Sequence, residues 1–265
     1  MDRGSLHPRK LRFGRNAAKA QQLGRDREIT RAIFATAIIL AGALATWHAA
    51  RIAAATHDAE WAGVGVALLA GVLLADLLAG GVHWACDTWG DERTRWLGAG
   101  LIRSFRDHHH RPQAMLEHDW IEVNGEAATA AVGAFAVMAL GGPSLGLLEH
   151  PSWYAFSWSA IGVSALSNQI HQWAHSHAPP RFVRKLQRCG LILSRRRHAP
   201  HHRAPCIDRY CITTGWMNPA LDRTGAWRTL EAGIARATGA TPRAHEIRAA
   251  PNTKGTSRAT AAGPS

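Results

Sequence analysis

The stretch "WAGVGVALLAGVLLADLLAGGVHWACD" (61–87) decides the fold. From Trp61 to Val82 it carries one charge, Asp76. A helix needs about 20 such residues to cross a hydrocarbon core. The polar groups begin where the apolar run ends, at His83 and Asp87. Asp76 lies seven residues before His83 and eleven before Asp87, so on a helix all three share one face. An ionisable residue inside a span is a functional candidate by default.

Three more runs have the same character. Ala32–Ala50, Ala127–Leu148 and Pro151–Ile170 contain no charge at all. A soluble bundle of four buried helices is the alternative, but four uncharged runs of spanning length are hard to obtain that way. The expected fold class is therefore an all-α membrane protein with four transmembrane helices, at about 32–50, 61–82, 127–148 and 151–170. Residues 1–28 read as a basic, mobile tail and 249–265 as a disordered one, leaving 29–248 as the folded domain. The first thirty residues lack the short apolar core and small-residue cleavage site of a signal peptide, so the first apolar run is expected to be retained.

The formal charge of +12 raises the question of nucleic acid. Topology accounts for it instead. With the N-terminus inside, residues 1–31 place nine Lys/Arg on the inner side, the loop 83–126 five, and the chain after 170 sixteen; Arg51 alone falls outside. This obeys the positive-inside rule, and no nucleic-acid partner is expected. Both termini are then cytoplasmic. The Ala- and Arg-rich composition points to a bacterial cytoplasmic membrane. Cys86, Cys189, Cys206 and Cys211 all fall on that reducing side and are expected to be free thiols.

Of the twelve histidines between His83 and His202, eleven, all but His150, fall on the inner side. Threading rests on Lys and Arg alone, so this convergence is independent of it. His171 and His175 share a helix face, as do His198 and His202, with His201 close by. Pairs at this spacing can grip a metal ion, and imidazole suits Zn, Cu, Fe and Ni. A solvated "HHH" loop or a pH-sensing cluster are the plainer alternatives. Helical spacing in several separate segments favours metal, and the number of imidazoles suits two ions rather than one. Asp76 and Asp87 are expected to orient ligand histidines from behind; for Asp76 a bond to a neighbouring span is the alternative. His7, His48, His57, His150 and His245 stand alone and read as ordinary surface residues. A transporter would string ionisable groups through the bilayer, whereas here the spans hold one acid.

The motifs "GGVHWACDTWG" (80–90), "FRDHHHRP" (105–112), "EHDWIEVNGE" (117–126), "NQIHQWAHSH" (168–177), "RRRHAPHH" (195–202) and "YCITTGWMNP" (210–219) resemble the Kua, or lipid desaturase domain, family. The resemblance covers roughly residues 65–245. It implies a membrane oxidase with two Fe ions, O2 as co-substrate and an external electron donor. Carried over by position, the metal and catalytic residues are His83, His108, His109, His118, His171, His175, His198, His201 and His202. His110 and His177 are local extras. Arg197 and Pro200 depart from the family pattern, and Pro200 puts the helical register of the last cluster in question. The implied reaction converts a 1-O-alkyl ether membrane phospholipid to the vinyl ether plasmalogen; an acyl-lipid desaturase or hydroxylase is the alternative. The implied partner is a separate electron-transfer protein of ferredoxin, flavoprotein or cytochrome b5 type.

Overall fold

A computed structural model describes residues 8–144 and 150–243. The tail 249–265 and the turn at 145–149 lie outside the described residues. All regular structure among them is helical. Helix α1 (Pro8–Ala55) contains the first expected span within a much longer rod. Helix α2 (Trp61–Thr88) runs through the second span and past His83 and Asp87, so the metal-ligand candidates ride on the spanning helix itself. Helix α4 (Trp120–Ser144) contains the third. By length and composition three helices can cross a membrane, within 24–55, 58–88 and 120–141.

The fourth expected span is a broken rod. Helix α5 (Pro151–Ala165) stops at Leu166, and α6 (Ser167–His175) restarts at once. The Ser167 hydroxyl donates to the Ser164 carbonyl at 2.7 Å, offering the chain a local turn in place of the helical ladder. Alone, α5 is shorter than a hydrocarbon core requires.

Helices α2 and α5 pack along one another, as do α1 and α4, with α4 and α5 joining the pairs. Small residues make this possible. A Cβ on Gly71 would lie 2.0 Å from Ser159 Oγ and 2.4 Å from the Phe156 carbonyl oxygen. Gly71→Leu should therefore force α2 off α5 and cost about 1–3 kcal/mol or more, as overpacking does. Thermal melting in detergent checks this against Gly42→Leu, where a Cβ meets nothing within 4 Å. The outward faces are apolar: Ile33, Ile39, Val66, Leu69, Val137 and Leu140 are all exposed. Surfaces of that kind belong in lipid.

His48 is not the surface residue expected. It is fully buried, its Nε2 3.0 Å from the Phe135 carbonyl oxygen and its Nδ1 facing the Tyr154 hydroxyl. One neutral ring satisfies both, donating to Phe135 and accepting from Tyr154. It clasps α1, α4 and α5 together.

The remaining helices cap the histidine-bearing end. They are α3 (Arg103–His110), α7 (Arg181–Arg188), α8 (Arg195–His198), α9 (Asn218–Arg223) and α10 (Ala226–Thr238). Trp84 of α2 stacks on Trp227 of α10 with ring centroids 5.2 Å apart, and its Nε1–H donates to buried Glu231 at 2.8 Å. The four cysteines are free, as expected.

Candidate metal centre

Four separate pieces of chain deliver imidazoles to one place. α2 brings His83, with Asp87 one turn on. α3 brings His108 and His109. α6 brings His171 and His175. α8 and the turn after it bring His198, His201 and His202. α8 ends at His198, two residues before Pro200, and a turn closed by His201 N–H to the His198 carbonyl at 2.9 Å carries the chain onward. Pro200 thus ends the helix without moving the cluster.

These side chains form two adjoining groups. His108, His171, His175, His198 and His202 make the first; His83, Asp87, His109 and His201 make the second. Within each, one ligand atom per residue lies within 4.8 Å of every other. Successive residues on a helix point about 100° apart. So His108 and His109 face different groups, and His201 and His202 divide likewise. The groups share a wall, with the His198 and His201 rings stacked at 5.5 Å and those of His109 and His202 tilted against each other at 5.0 Å.

In the first group, His198 Nε2 lies 2.9 Å from His171 Nε2, 3.0 Å from His175 Nε2 and 2.9 Å from His202 Nε2. His171 and His175 Nε2 are 3.1 Å apart. In the second, His83 Nε2 is 3.0 Å from His201 Nε2 and 3.3 Å from Asp87 Oδ2, and His109 Nε2 is 2.9 Å from the same oxygen. A neutral imidazole has one N–H to give, so nitrogens converging this way set lone pair against lone pair. A cation at each focus resolves the conflict. The far sides of two rings are already fixed. His83 Nδ1–H donates to the Tyr210 carbonyl at 3.2 Å and His201 Nδ1–H to that of Asp208 at 2.6 Å, which turns both Nε2 lone pairs inward. His108 Nε2 and Asp87 Oδ1 are buried with no hydrogen-bond partner. The donor set therefore fits metal.

The electrostatics agree. Burial, then the neighbouring imidazoles, pushes His108 down to about 3 and His202 to about 2. His198 and His201 are lowered for the same first reason. Neutral imidazole is the form that ligates. His109 departs from the pattern. Burial lowers it, but its bonds to Asp87 and Cys206 outweigh that and raise it to about 9.

Three expectations change here. Asp87 does not stand behind the histidines; its Oδ2 lies among their nitrogens, placed to ligate alongside them. Asp76 bonds to no histidine among the described residues. Its Oδ1 accepts the backbone N–H groups of Thr213, Thr214 and Gly215 at 3.1, 2.8 and 3.0 Å, and its Oδ2 that of Met217 at 3.2 Å. Fully buried, it anchors the loop whose Tyr210 carbonyl holds His83. His118 joins neither group. Its side chain is 61% exposed and its Nδ1 sits 3.3 Å from Glu122. It is the main-chain carbonyl of His118 that reaches the site's surroundings, accepting from Gln172 at 3.0 Å. His118→Ala should leave bound metal unchanged, and Asp87→Ala should lower it; metal analysis of the purified variants decides this.

A polar chain behind the site escaped the sequence reading. Asn124 donates to Gln169 at 2.9 Å, Gln169 to Gln172 at 2.8 Å, and Gln172 to the Met115 carbonyl at 2.9 Å. It ties α4, α6 and residues 112–117 together. The signal was present, as amides beside the motif histidines and carboxylates. Cys206, one of the free thiols, also lies against His109.

Fold and site together define a helical membrane protein built around a histidine-rich cluster able to hold metal. A model of the lipid desaturase domain family matches residues 72–245. The chain is 40% identical over 186 residues to plasmanylethanolamine desaturase 1 of Mus musculus, covering 68% of each chain. It is 40% identical over 185 residues to plasmanylethanolamine desaturase of Myxococcus xanthus, covering 68% of this chain and 64% of that one. Fatty acid desaturase 4, chloroplastic, of Arabidopsis thaliana is 38% identical over 165 residues, 61% of this chain and 49% of that one. The protein belongs to the lipid desaturase domain family. No solved structure matches it.

Proposed function

We infer that the protein is a membrane lipid desaturase that converts the 1-O-alkyl chain of plasmanylethanolamine to the vinyl ether of a plasmalogen. The observation that carries this is the pair of adjoining ligand groups, set in a stretch that is 40% identical to two plasmanylethanolamine desaturases.

In this reading each group holds one iron: His108, His171, His175, His198 and His202 the first, His83, Asp87, His109 and His201 the second. Two irons with O2 supply an oxidant strong enough for an unactivated C–H bond, which no side chain can. Two hydrogens leave adjacent carbons, and with two electrons and two further protons O2 departs as two waters. The protein's own part is to place and to exclude. Tyr210 and Asp208 carbonyls hold two imidazoles in the ligating tautomer. Ile170, Ala174, Leu193 and Ile212 form an apolar wall around the α6 end of the site and keep water away. The bond to be oxidised lies next to the glycerol, so the reacting carbons sit near the depth at which α2 leaves the bilayer. We place both termini on the cytoplasmic side, with α5 and α6 completing a fourth crossing. Electrons come from a separate ferredoxin, flavoprotein or cytochrome b5-type protein.

The acyl reading keeps the same metals with another chain, and the plant fatty acid desaturase match favours it as the second choice. The test uses a cell that makes 1-O-alkyl phospholipids but lacks plasmalogens. Mild acid cleaves vinyl ethers and releases long-chain aldehydes. Aldehyde appearing only on expression of the protein supports the ether reading. No aldehyde, with iron and a competent donor present, rejects it, and a new double bond in the acyl chains would then support the alternative.

A further inference from the structure

The loop between α2 and α3 carries apolar side chains that stand exposed among the described residues. Trp96 is 87% exposed, more than any other large apolar side chain among the described residues, and Leu97 and Leu101 are exposed beside it. In a soluble loop such residues would be buried or replaced. The loop is nevertheless well built. Asp91 Oδ1 accepts the Arg93 N–H at 2.8 Å, Thr94 Oγ1 accepts that of Asp91 at 2.9 Å, and Gly98 N–H closes on the Thr94 carbonyl at 2.7 Å. Ile102 is buried and pins the far end. Trp96 itself has φ 71°, a backbone a bulky residue adopts only at a cost. The chain thus holds an indole outward in a strained conformation, which is opposite to what burial within the protein would favour.

Two observations say what covers it. The first is continuity. The lipid-facing side of α2, through Leu78 and Val82, remains apolar and exposed up to the residue before His83, and the loop follows where that helix ends. Trp120 at the start of α4 is exposed at the same end, while Trp47, Trp61 and Trp153 are exposed at the other. Two sets of tryptophans bounding an apolar belt mark the two interfaces of a bilayer. The second is charge. Arg93, Arg95 and Arg103 stand exposed around the indole, and the Arg95 guanidinium lies 5.1 Å from the Trp96 ring centre. Of the nearby acids, Asp91 is engaged in the turn, Glu92 is exposed, and Asp107 pairs with Arg103 at 3.3 Å, which leaves Arg93 and Arg95 as the cations beside the indole. Arginine over an interfacial indole is suited to phosphate above and acyl chain below.

We propose that residues 91–103 form a membrane-inserted loop, with Trp96, Leu97 and Leu101 in the interfacial zone of the leaflet and Arg93 and Arg95 on phospholipid phosphates. The loop joins the helix of His83 and Asp87 to the helix of His108 and His109. It therefore sets the depth of the metal centre against the glycerol level of the bilayer. The insertion itself does not depend on the chemistry proposed above.

The test places the photo-cross-linking residue p-benzoylphenylalanine at Trp96 in the full chain, reconstituted in vesicles of phosphatidylethanolamine and phosphatidylglycerol. Ile39, exposed in the middle of α1, is the lipid-facing comparison, and Arg236, exposed on α10, the water-facing one. Peptide masses after irradiation should show phospholipid adducts at 96 and 39 and none at 236. Adducts at 39 but not at 96 overturn the proposal. So does a cross-link from 96 to a second copy of the chain, or to an added electron carrier, in place of lipid. Because no turnover is read, failure here is distinct from failure of the desaturase reading.

Discussion

His171→Ala is expected to abolish aldehyde release in the plasmalogen assay. Its Nε2 stands 2.9 Å from that of His198 and 3.1 Å from that of His175, and its ring lies 5.8 Å from that of His83 in the other group. It is thus both placed to ligate in one group and part of the wall between the two. Substituting even an outer partner of a metal ligand costs roughly 10–100-fold, so loss of this ring should exceed about 100-fold. Two further readouts separate a lost ligand from a collapsed fold. Bound iron should fall by comparison with His118→Ala, and the protein should still melt cooperatively in detergent. A variant with full iron and wild-type aldehyde would remove His171 from the site. A variant that keeps its fold and iron but loses activity would make it a substrate contact instead.

Asp76→Ala should be the most damaging change away from the metal groups. Four backbone N–H donors converge on this one carboxyl group, and the loop they belong to is buried against α2. Each buried donor left unpaired costs about 1–3 kcal/mol, and breaking a buried network as a whole about 3–5 kcal/mol. The consequence reaches the site, because the same loop presents the Tyr210 carbonyl to His83. Melting temperature and bound iron should therefore fall together. Asp76→Asn keeps an oxygen where Oδ1 takes three of the four bonds, so it should fall between wild type and alanine. If Asp76→Ala melts like wild type, the loop is held by other contacts. One candidate is the close approach of Cys211 to Gly80, where a Cβ would lie 2.6 Å from the Cys211 sulfur.

The parts of the protein legible in sequence were those set by local chemistry. An uncharged run of spanning length declares itself wherever it stands, and so do α1, α2 and α4. The i, i+4 pairs His83/Asp87 and His171/His175 meet because helical geometry alone brings them together. The break at Leu166 was not legible, because Pro151–Ile170 has the hydropathy of one span and the decision rests on a serine hydroxyl taking a carbonyl of the preceding turn. His48 looked like a lone surface residue because nothing near it in sequence can satisfy it; Phe135 and Tyr154 lie far along the chain.

By itself, the sequence determined that this chain builds helices for a lipid environment and that its imidazoles gather at one place. These follow from composition and from periods of a few residues. Only the tertiary structure decided how the gathering is divided. It sorted eight histidines and Asp87 into two groups, left His118 outside, and gave Asp76 to a loop well over a hundred residues away. The physical reason is that ligand direction depends on the far side of each ring. The carbonyls of Tyr210 and Asp208, which set that direction for His83 and His201, arrive from distant or turning chain with no side-chain signature. A backbone carbonyl is present at every residue, so its use at two of them is visible only once the chain has folded.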